Sequence, residues 1–402
     1  MEIEITDTIQ NIIDEIVGRE NFKSPPEILV SQGSQEGDGY CSKTYAISIN
    51  DNGDNKKSIN LFVKCFPEFQ NAGWKSMMEI GFKSEYNFYH EVWPVFMKFQ
   101  DAKNLKEPFN NVAKSYSFQS GSVIKPIVLE NLRSLGYTLR DRKKPVDDVH
   151  LRLPIQAFAR YHAISYAFKD QEPENFKKLT SSMSDVFSDN FEMIGMDGII
   201  RKSVKQVIEG LDPVLDEKIL QRCEGLDDKI IKFVANLDKM VDEYSVIGQG
   251  DCWSNNMMFL YNEKGVPIDV KLVDWQAQRL SSPLLDFCYF FYTLATKSEL
   301  DNAETYINLY YNTLSERINE LGSDPKKLFP YEIFREQWKK FSLFGIMTGL
   351  LVIKAQLFDK DEIPNLTGHD NIDTFTVVLK NQDKFVNRMK DIIQYFIDND
   401  LL

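Results

Sequence analysis

Cysteine is scarce and scattered: Cys41, Cys65, Cys223, Cys252 and Cys288 are odd in number and show no CxxC spacing. That pattern excludes a disulfide framework and a zinc knuckle, and reads as a chain kept reduced in the cytoplasm. Basic residues are also in deficit, with 47 Lys and Arg against 60 Asp and Glu and a formal net charge of −13. Nucleic acid is therefore not an expected partner, because its phosphates call for a surplus of cations. The one basic run, Arg140-Asp141-Arg142-Lys143-Lys144, is short and broken by an acid, and reads as a solvated loop. Long apolar runs are missing too. The longest, Phe341 to Ile353, is about 13 residues and includes Ser342 and Thr348, too short for a membrane span and suited to a buried helix. The opening stretch, MEIEITDTIQNIIDEIVGRE, is acidic and amphipathic, unlike a signal or transit peptide. No internal repeat points to a solenoid, and no GxxxxGK[ST] points to a Walker-type nucleotide fold.

The 402 residues are enough for two lobes, each with its own core. A hydrophobic fraction of 43% and a charged fraction of 27% are those of a soluble globular protein. The 28 Phe are compatible with thick cores or with an apolar substrate pocket. From Ile28 to Leu132 the chain reads as short strands with one helix. Tyr45, Ile47 and Ile49 alternate with Ala46 and Ser48, a turn-forming Asn50–Asn55 follows, and Ile59, Leu61 and Val63 alternate again up to Lys64. A helix with Phe82, Glu85, Tyr89 and Val92 on one face is expected to stop at Pro94. A second hairpin around Gln119–Ser122 leads into Ile127-Val128-Leu129. From Val146 onward helical patterns dominate, broken by a single strand–turn–strand segment near 257–274. Strands with one helix followed by a larger helical part make an α+β, bilobal protein, with a β-rich lobe over 1–131 and a mainly helical lobe over 132–402.

The segment richest in chemistry is Gly248-Gln249-Gly250-Asp251-Cys252-Trp253-Ser254-Asn255-Asn256. A polar loop precedes the apolar Met257–Leu260, the chain turns at Asn262–Gly265, and Val270–Val273 returns to Asp274-Trp275. Phosphoryl transfer needs such parts: a carboxylate to orient and deprotonate a hydroxyl, with an amide oxygen and a second carboxylate to hold Mg²⁺. The hairpin would gather Asp251, Asn256 and Asp274 at one end of adjacent strands. An Asp–Asn pair alone commonly just makes a turn; the ordered combination is specific.

The stretches GQGDCWSNNMMF, VKLVDWQ and SSPLLDFCYFF resemble the catalytic core of the ecdysteroid-kinase-like family, a branch of the choline-kinase and aminoglycoside-phosphotransferase group. EGDGYCSKTY, LFVKCFP, FKSEYNFYHEVWP, IVLENL and FARYHAISYAF look like that family's other landmarks in the same order. The resemblance runs from Ile28 to Ala295 and implies a protein-kinase-like fold that uses ATP and Mg²⁺. It makes Asp251 the catalytic base, Asn256 and Asp274 the metal ligands, and Asp286 the buried brace of the catalytic loop. Lys64 would grip the phosphates with Glu85 as its partner, since Glu79 and Glu91 lie well round the helix. Gly37, Gly39 and Ser42 would cap the phosphates, although the run lacks the third glycine of GxGxxG. Leu129, Glu130 and Asn131 would form the hinge whose backbone receives the adenine. Phe287, Tyr289, Phe290 and Phe291 are compatible with an apolar substrate pocket, and His162 reads as a satisfied core histidine.

One position departs from the family: two residues before Asp251, where it has His, stands Gln249. Gln both donates and accepts hydrogen bonds, so the change reads as a tolerated substitution in a bracing position. The expected activity is transfer of the γ-phosphoryl group to a hydroxyl of a small molecule, an ecdysteroid or another lipophilic alcohol. The rivals are a non-catalytic pseudokinase, which Gln249 alone favours, and a metal-dependent hydrolase, in which Lys64 and Glu85 would have no role.

Overall fold

The computed structural model describes residues 5–20, 22, 25–34, 42–51, 57–69, 72–118, 124–181, 183, 195–359, 362 and 376–402. Gly37 and Gly39, residues 52–55 of the first expected turn and the Gln119–Ser122 hairpin lie outside them. Ser42 is described, immediately before the second strand.

The amino-terminal part is a four-stranded antiparallel sheet of β1 (Glu27–Gln32), β2 (Lys43–Asn50), β3 (Ser58–Cys65) and β4 (Ile127–Glu130), in that spatial order. The period-2 alternation sorts its two faces. Tyr45, Ile47, Ile49, Ile59, Leu61, Val63 and Val128 are buried against Ile9, Ile12, Ile13 and Ile16 of helix α1 (Asp7–Arg19), whose apolar residues recur at helical spacing. Thr44, Phe62, Lys64 and Leu129 line a cleft on the opposite side.

The next helix does not stop at Pro94. α2 (Ala72–Asn87) passes through a wide π-turn at Phe88–Val92 into α3 (Trp93–Asp101). The Trp93 N–H reaches back to the Phe88 carbonyl, and Pro94 falls in the first turn after this widening, where a missing N–H disrupts least. The extra residue in the turn keeps Phe88, Tyr89 and Val92 buried together. The Phe88 ring stacks on Trp275 at 3.7 Å, tying this helix to the helical lobe.

After β4 and β5 (Thr138–Leu139) come α4 (Asp148–Gln171), α5 (Pro173–Thr180), α6 (Met196–Glu209), α7 (Glu217–Cys223) and α8 (Leu226–Val234). Strands β6 (Val246–Gly248), β7 (Met257–Tyr261), β8 (Pro267–Leu272) and β9 (Arg279–Ser281) follow. The chain ends in α9 (Pro283–Leu294), α10 (Lys297–Asp301), α11 (Ala303–Glu320), α12 (Pro325–Leu328), α13 (Tyr331–Leu357) and α14 (Gln382–Asp398). The anticipated β7–β8 hairpin is present, with β5 added at its edge and β6 paired to β9. Those added strands, two or three residues long, are too short to show an alternation in the sequence. The fold is α+β, with a small antiparallel sheet amino-terminally and a helical carboxy-terminal part.

Helix α13 contains the Phe341–Ile353 run. By length and composition it could cross a membrane, yet its most apolar stretch is 83% buried inside the protein. It packs on α9, every residue of which is buried. Gly345 allows the approach, because a Cβ there would collide with the Tyr292 ring and lie 3.1 Å from the Cys288 carbonyl.

Candidate active site

The loop after β6 is held from below by a carboxylate. Asp286, in the first turn of α9 behind its Ser282 cap, accepts from the Gln249 N–H at 2.6 Å and the Gly250 N–H at 3.1 Å. Burial would push its carboxyl up, but the hydrogen bond and charge of His162, the Gln249 amide and Arg279 outweigh this and hold it below the usual range. His162 is fully buried, with Nε2 3.1 Å from Asp286 and Nδ1 2.7 Å from the Tyr310 hydroxyl. It is thus a satisfied core histidine that also supports the brace. Gly250 has φ +84°, and a Cβ there would overlap the Ala277 carbonyl oxygen, so the loop's turn requires glycine.

Above the brace lies Asp251. Oδ1 accepts from the Tyr289 hydroxyl at 2.7 Å, and Oδ2 from Asn256 Nδ2 at 2.8 Å. Asn256 Nδ2 also donates to the Asp251 carbonyl at 2.9 Å, leaving its own Oδ1 as the group free to meet a cation. Burial and the neighbouring Asp274 charge push the Asp251 carboxyl up to about 6, opposed by the hydrogen bonds from Tyr289, Asn256 and Gln276. Gln249 spans two loops. Its Oε1 accepts from the Asp251 N–H at 2.8 Å, while Nε2 donates to the carbonyls of Val273 at 3.1 Å and Asp274 at 2.8 Å.

Asp274 follows β8 with φ +62°, a left-handed conformation that costs a non-glycine residue about 1–3 kcal/mol. Its Oδ1 is buried without a hydrogen-bond partner, 3.6 Å from Lys64 Nζ. Lys64 Nζ sits 2.9 Å from both carboxylate oxygens of Glu85. Burial raises the Glu85 carboxyl and the Lys64 ammonium opposes it. Glu79 pairs with Lys83 at 2.6 Å instead, as its place on the helix anticipates.

Lys64, Glu85, Asn256 and Asp274 line one cleft of about 110 Å³ between the sheet and the helical part, together with Gly33, Ser42, Phe62, Met78, Phe82, Leu129, Glu130, Asn131, Leu132, Met258 and Gln276. Asp251 joins it through its hydrogen bond to Asn256. The hinge is more constrained than its sequence indicates. The Glu130 N–H donates to the Lys114 carbonyl, the Asn131 N–H to the Asn60 carbonyl, and the Glu130 side chain accepts from the Lys114 N–H. Their amide donors are thus taken, because β4 pairs on both sides.

Of the α9 aromatics that the sequence singles out, Phe287, Tyr289, Phe290 and Phe291, none lines the cleft. Phe287, Phe290 and Phe291 are buried among Tyr310, Phe158 and Tyr306, and only Tyr289 reaches the site, through its hydroxyl. Tyr289 and Gln276 are the contacts of Asp251 that sequence reasoning did not assign. The i, i+3 spacing of Asp286 and Tyr289 put both on the helix face toward the loop, and is the signal that was available.

The residues suit a divalent cation held jointly with phosphates. Asp274 has an orphaned buried oxygen and Asn256 an available amide oxygen. No cluster of three or more His, Cys, Asp or Glu occurs among the described residues, so a complete protein cage is not formed there. Mg²⁺ commonly takes only one or two protein ligands beside substrate phosphates.

A sequence model of the ecdysteroid kinase-like family matches residues 36–323. No curated protein matches the chain. Among solved structures, an ethanolamine kinase of Plasmodium vivax is similar at 12% identity and TM-score 0.43, over 99% of this chain and 91% of that one. An aminoglycoside 2'-phosphotransferase-IIIa bound to GDP is similar at 13% identity and TM-score 0.40, over 86% and 90%. A glucosamine kinase in complex with glucosamine, ADP and inorganic phosphate is similar at 9% identity and TM-score 0.33, over 93% and 83%.

Proposed function

Since the chain belongs to the ecdysteroid kinase-like family, we propose that it is a cytoplasmic ATP-dependent phosphotransferase acting on a hydroxyl of a small lipophilic molecule, an ecdysteroid among the candidates. The observation that carries this reading is one cleft lined by the Lys64–Glu85 pair, Asn256 and the Asp274 oxygen that lacks a hydrogen-bond partner, with Asp251 hydrogen-bonded to Asn256. In this reading the amino-terminal lobe, 1–131, and the carboxy-terminal lobe, 132–402, meet at that cleft.

Lys64, fixed by Glu85, draws the phosphates toward the sheet. Asp274 and Asn256 hold Mg²⁺, which when bound supplies charge neutralisation at the phosphates. Asp251 orients the acceptor hydroxyl and takes its proton, the Tyr289 and Asn256 hydrogen bonds fixing its two oxygens. With the Glu130 and Asn131 amides engaged, the Leu132 N–H is the next donor along the hinge for the adenine, and Phe62, Phe82 and Leu129 offer its ring apolar surface. Most of the catalytic advantage is positioning and electrostatics, with no covalent intermediate. Gln249 makes the contacts expected of a loop brace, which supports reading it as a working substitute for His.

The test is incubation of the protein with labelled ATP, Mg²⁺ and a panel of hydroxylated small molecules that includes ecdysteroids. Transfer to one of them is expected. ATP binding without transfer to any acceptor would favour the pseudokinase, and label on protein side chains alone would count against a small-molecule substrate.

A further inference from the structure

A second pocket, sharing no residue with the cleft, lies between α8 and the amino-terminal half of α13 and measures about 550 Å³. That size falls in the ~300–1,000 Å³ range of small-molecule sites. Lys229 and Lys232, three apart on α8, and Lys339 and Lys340 on α13 stand around it. All four lysines are exposed, and none is paired with a carboxylate among the described residues. The acids nearest along α8, Asp227 and Asp228, are both held by Arg201, at 3.0 and 2.7 Å.

The rest of the lining is mostly apolar, with Phe233, Met240, Leu343 and Leu401, and the Phe233 ring lies against Phe341 at 6.2 Å. Lysine stems often cover apolar surface by lying across it. Here they leave an open concavity instead, lined by four lysines without a carboxylate partner on a protein of net charge −13, the Lys340 ammonium lying 4.9 Å from the Phe341 ring centroid. Like charges gathered without counter-charges repel, and an anion entering among them relieves that repulsion. An apolar floor beneath a cationic rim matches one chemistry: an anionic head on an alkyl tail. Concavity selects a dispersed amphiphile over a bilayer surface, whose headgroups form a plane.

We propose that this pocket binds a single-chain amphipathic anion, an alkyl phosphate or fatty carboxylate, at a site separate from the cleft. The inference concerns binding alone and rests on the phosphotransferase reading only where its test uses ATP to fill the cleft.

The experiment is equilibrium dialysis of the full chain with dodecyl phosphate below its micelle-forming concentration, in the presence of saturating ATP to occupy the cleft. One molecule bound per chain is expected. Lys232→Glu/Lys340→Glu, at two exposed positions, should weaken binding about tenfold or more, the loss of a charge-assisted contact at each. An unchanged thermal melt shows that this variant is folded. Inorganic phosphate, lacking the tail, and dodecanol, lacking the charge, should each bind at least about tenfold more weakly, since each removes one of the two recognised features. Undiminished affinity in the charge-reversed variant overturns the proposal, as does equal binding of dodecanol. Sedimentation with phosphatidylserine vesicles without binding of the dispersed amphiphile would make the lysines a membrane contact. Preference for an acidic peptide over dodecyl phosphate would make them a protein contact. Either result displaces the proposed ligand.

Discussion

The two walls of the cleft hold their charges in different ways. On the sheet side, Lys64 is held by Glu85 of a separate helix at 2.9 Å and lies 3.6 Å from Asp274. On the helical side, Asp251 is fixed through both oxygens, its loop is tied by Gln249 to the Val273–Asp274 carbonyls, and that loop rests on Asp286, itself backed by His162 and Tyr310. A wall with few joints can adjust on binding. In the proposed mechanism, a wall with many joints keeps the Asp251 carboxylate in register, which is where small displacements would cost most. The contrast predicts that the helical side acts as a unit whose key loss is chemical, whereas the sheet side behaves as a two-residue device.

The sharpest way to break the comparison is Asp251→Asn. It is nearly isosteric, so folding and ATP binding should survive while turnover falls on the order of 10²–10⁴, the range for removal of a general base. Undiminished turnover with a folded protein would remove the helical wall from the chemistry. Next in size is Asp274→Ala, expected to remove Mg²⁺-dependent turnover while thermal unfolding stays cooperative. Near-normal rates at limiting Mg²⁺ would show that its orphaned oxygen serves something else.

Lys64→Met should weaken ATP use, and Glu85→Gln should do so less. A double-mutant cycle should show coupling of about 1 kcal/mol or more, as for groups in direct contact. Additive effects would dissolve the device on the sheet side. A subtler probe is pH. Asp251 accepts a proton only as the carboxylate, so turnover should decline as pH falls through about 6, where burial and Asp274 place its titration. Tyr289→Phe removes a hydrogen bond that favours the charged form, so the acid limb should move upward by about one unit. A limb that stays put would show that Tyr289 does not tune the carboxylate. The smallest effect is expected from Gln249→His, roughly tenfold or less in turnover, since one loop hydrogen bond is worth about 1 kcal/mol. Activity appearing only in that variant would mean that the natural chain is catalytically silent.

Much of this site could be read in advance because its signals are local. Alternation placed Lys64 on the face opposite Ile59, Leu61 and Val63, helical spacing chose Glu85 over Glu79, and a Ser-Pro helix start placed Asp286 in a first turn. What escaped depends on contacts distant in sequence or on backbone detail. Nothing in the vicinity of Pro94 announces a π-turn that lets the helix run through it. Phe287, Phe290 and Phe291 resemble pocket walls until α4 and α11 are known to cover them. The engagement of the Glu130 and Asn131 amides follows from pairing with Lys114 and Asn60, which the hinge sequence does not encode. The α1 segment showed its amphipathic character, but not that the outer face of the sheet would receive it.

The left-handed Gly250 bears on how such chains lose activity over evolutionary time. Any side chain there must displace the Ala277 carbonyl or forfeit the turn, at a strain of about 1–3 kcal/mol for the backbone alone. A descendant could keep every acid, amide and lysine of the cleft and still fall silent through this one replacement. An inventory of charged residues would miss that event, so the glycine beside the carboxylate is as useful a marker of a lapsed lineage as the carboxylate itself.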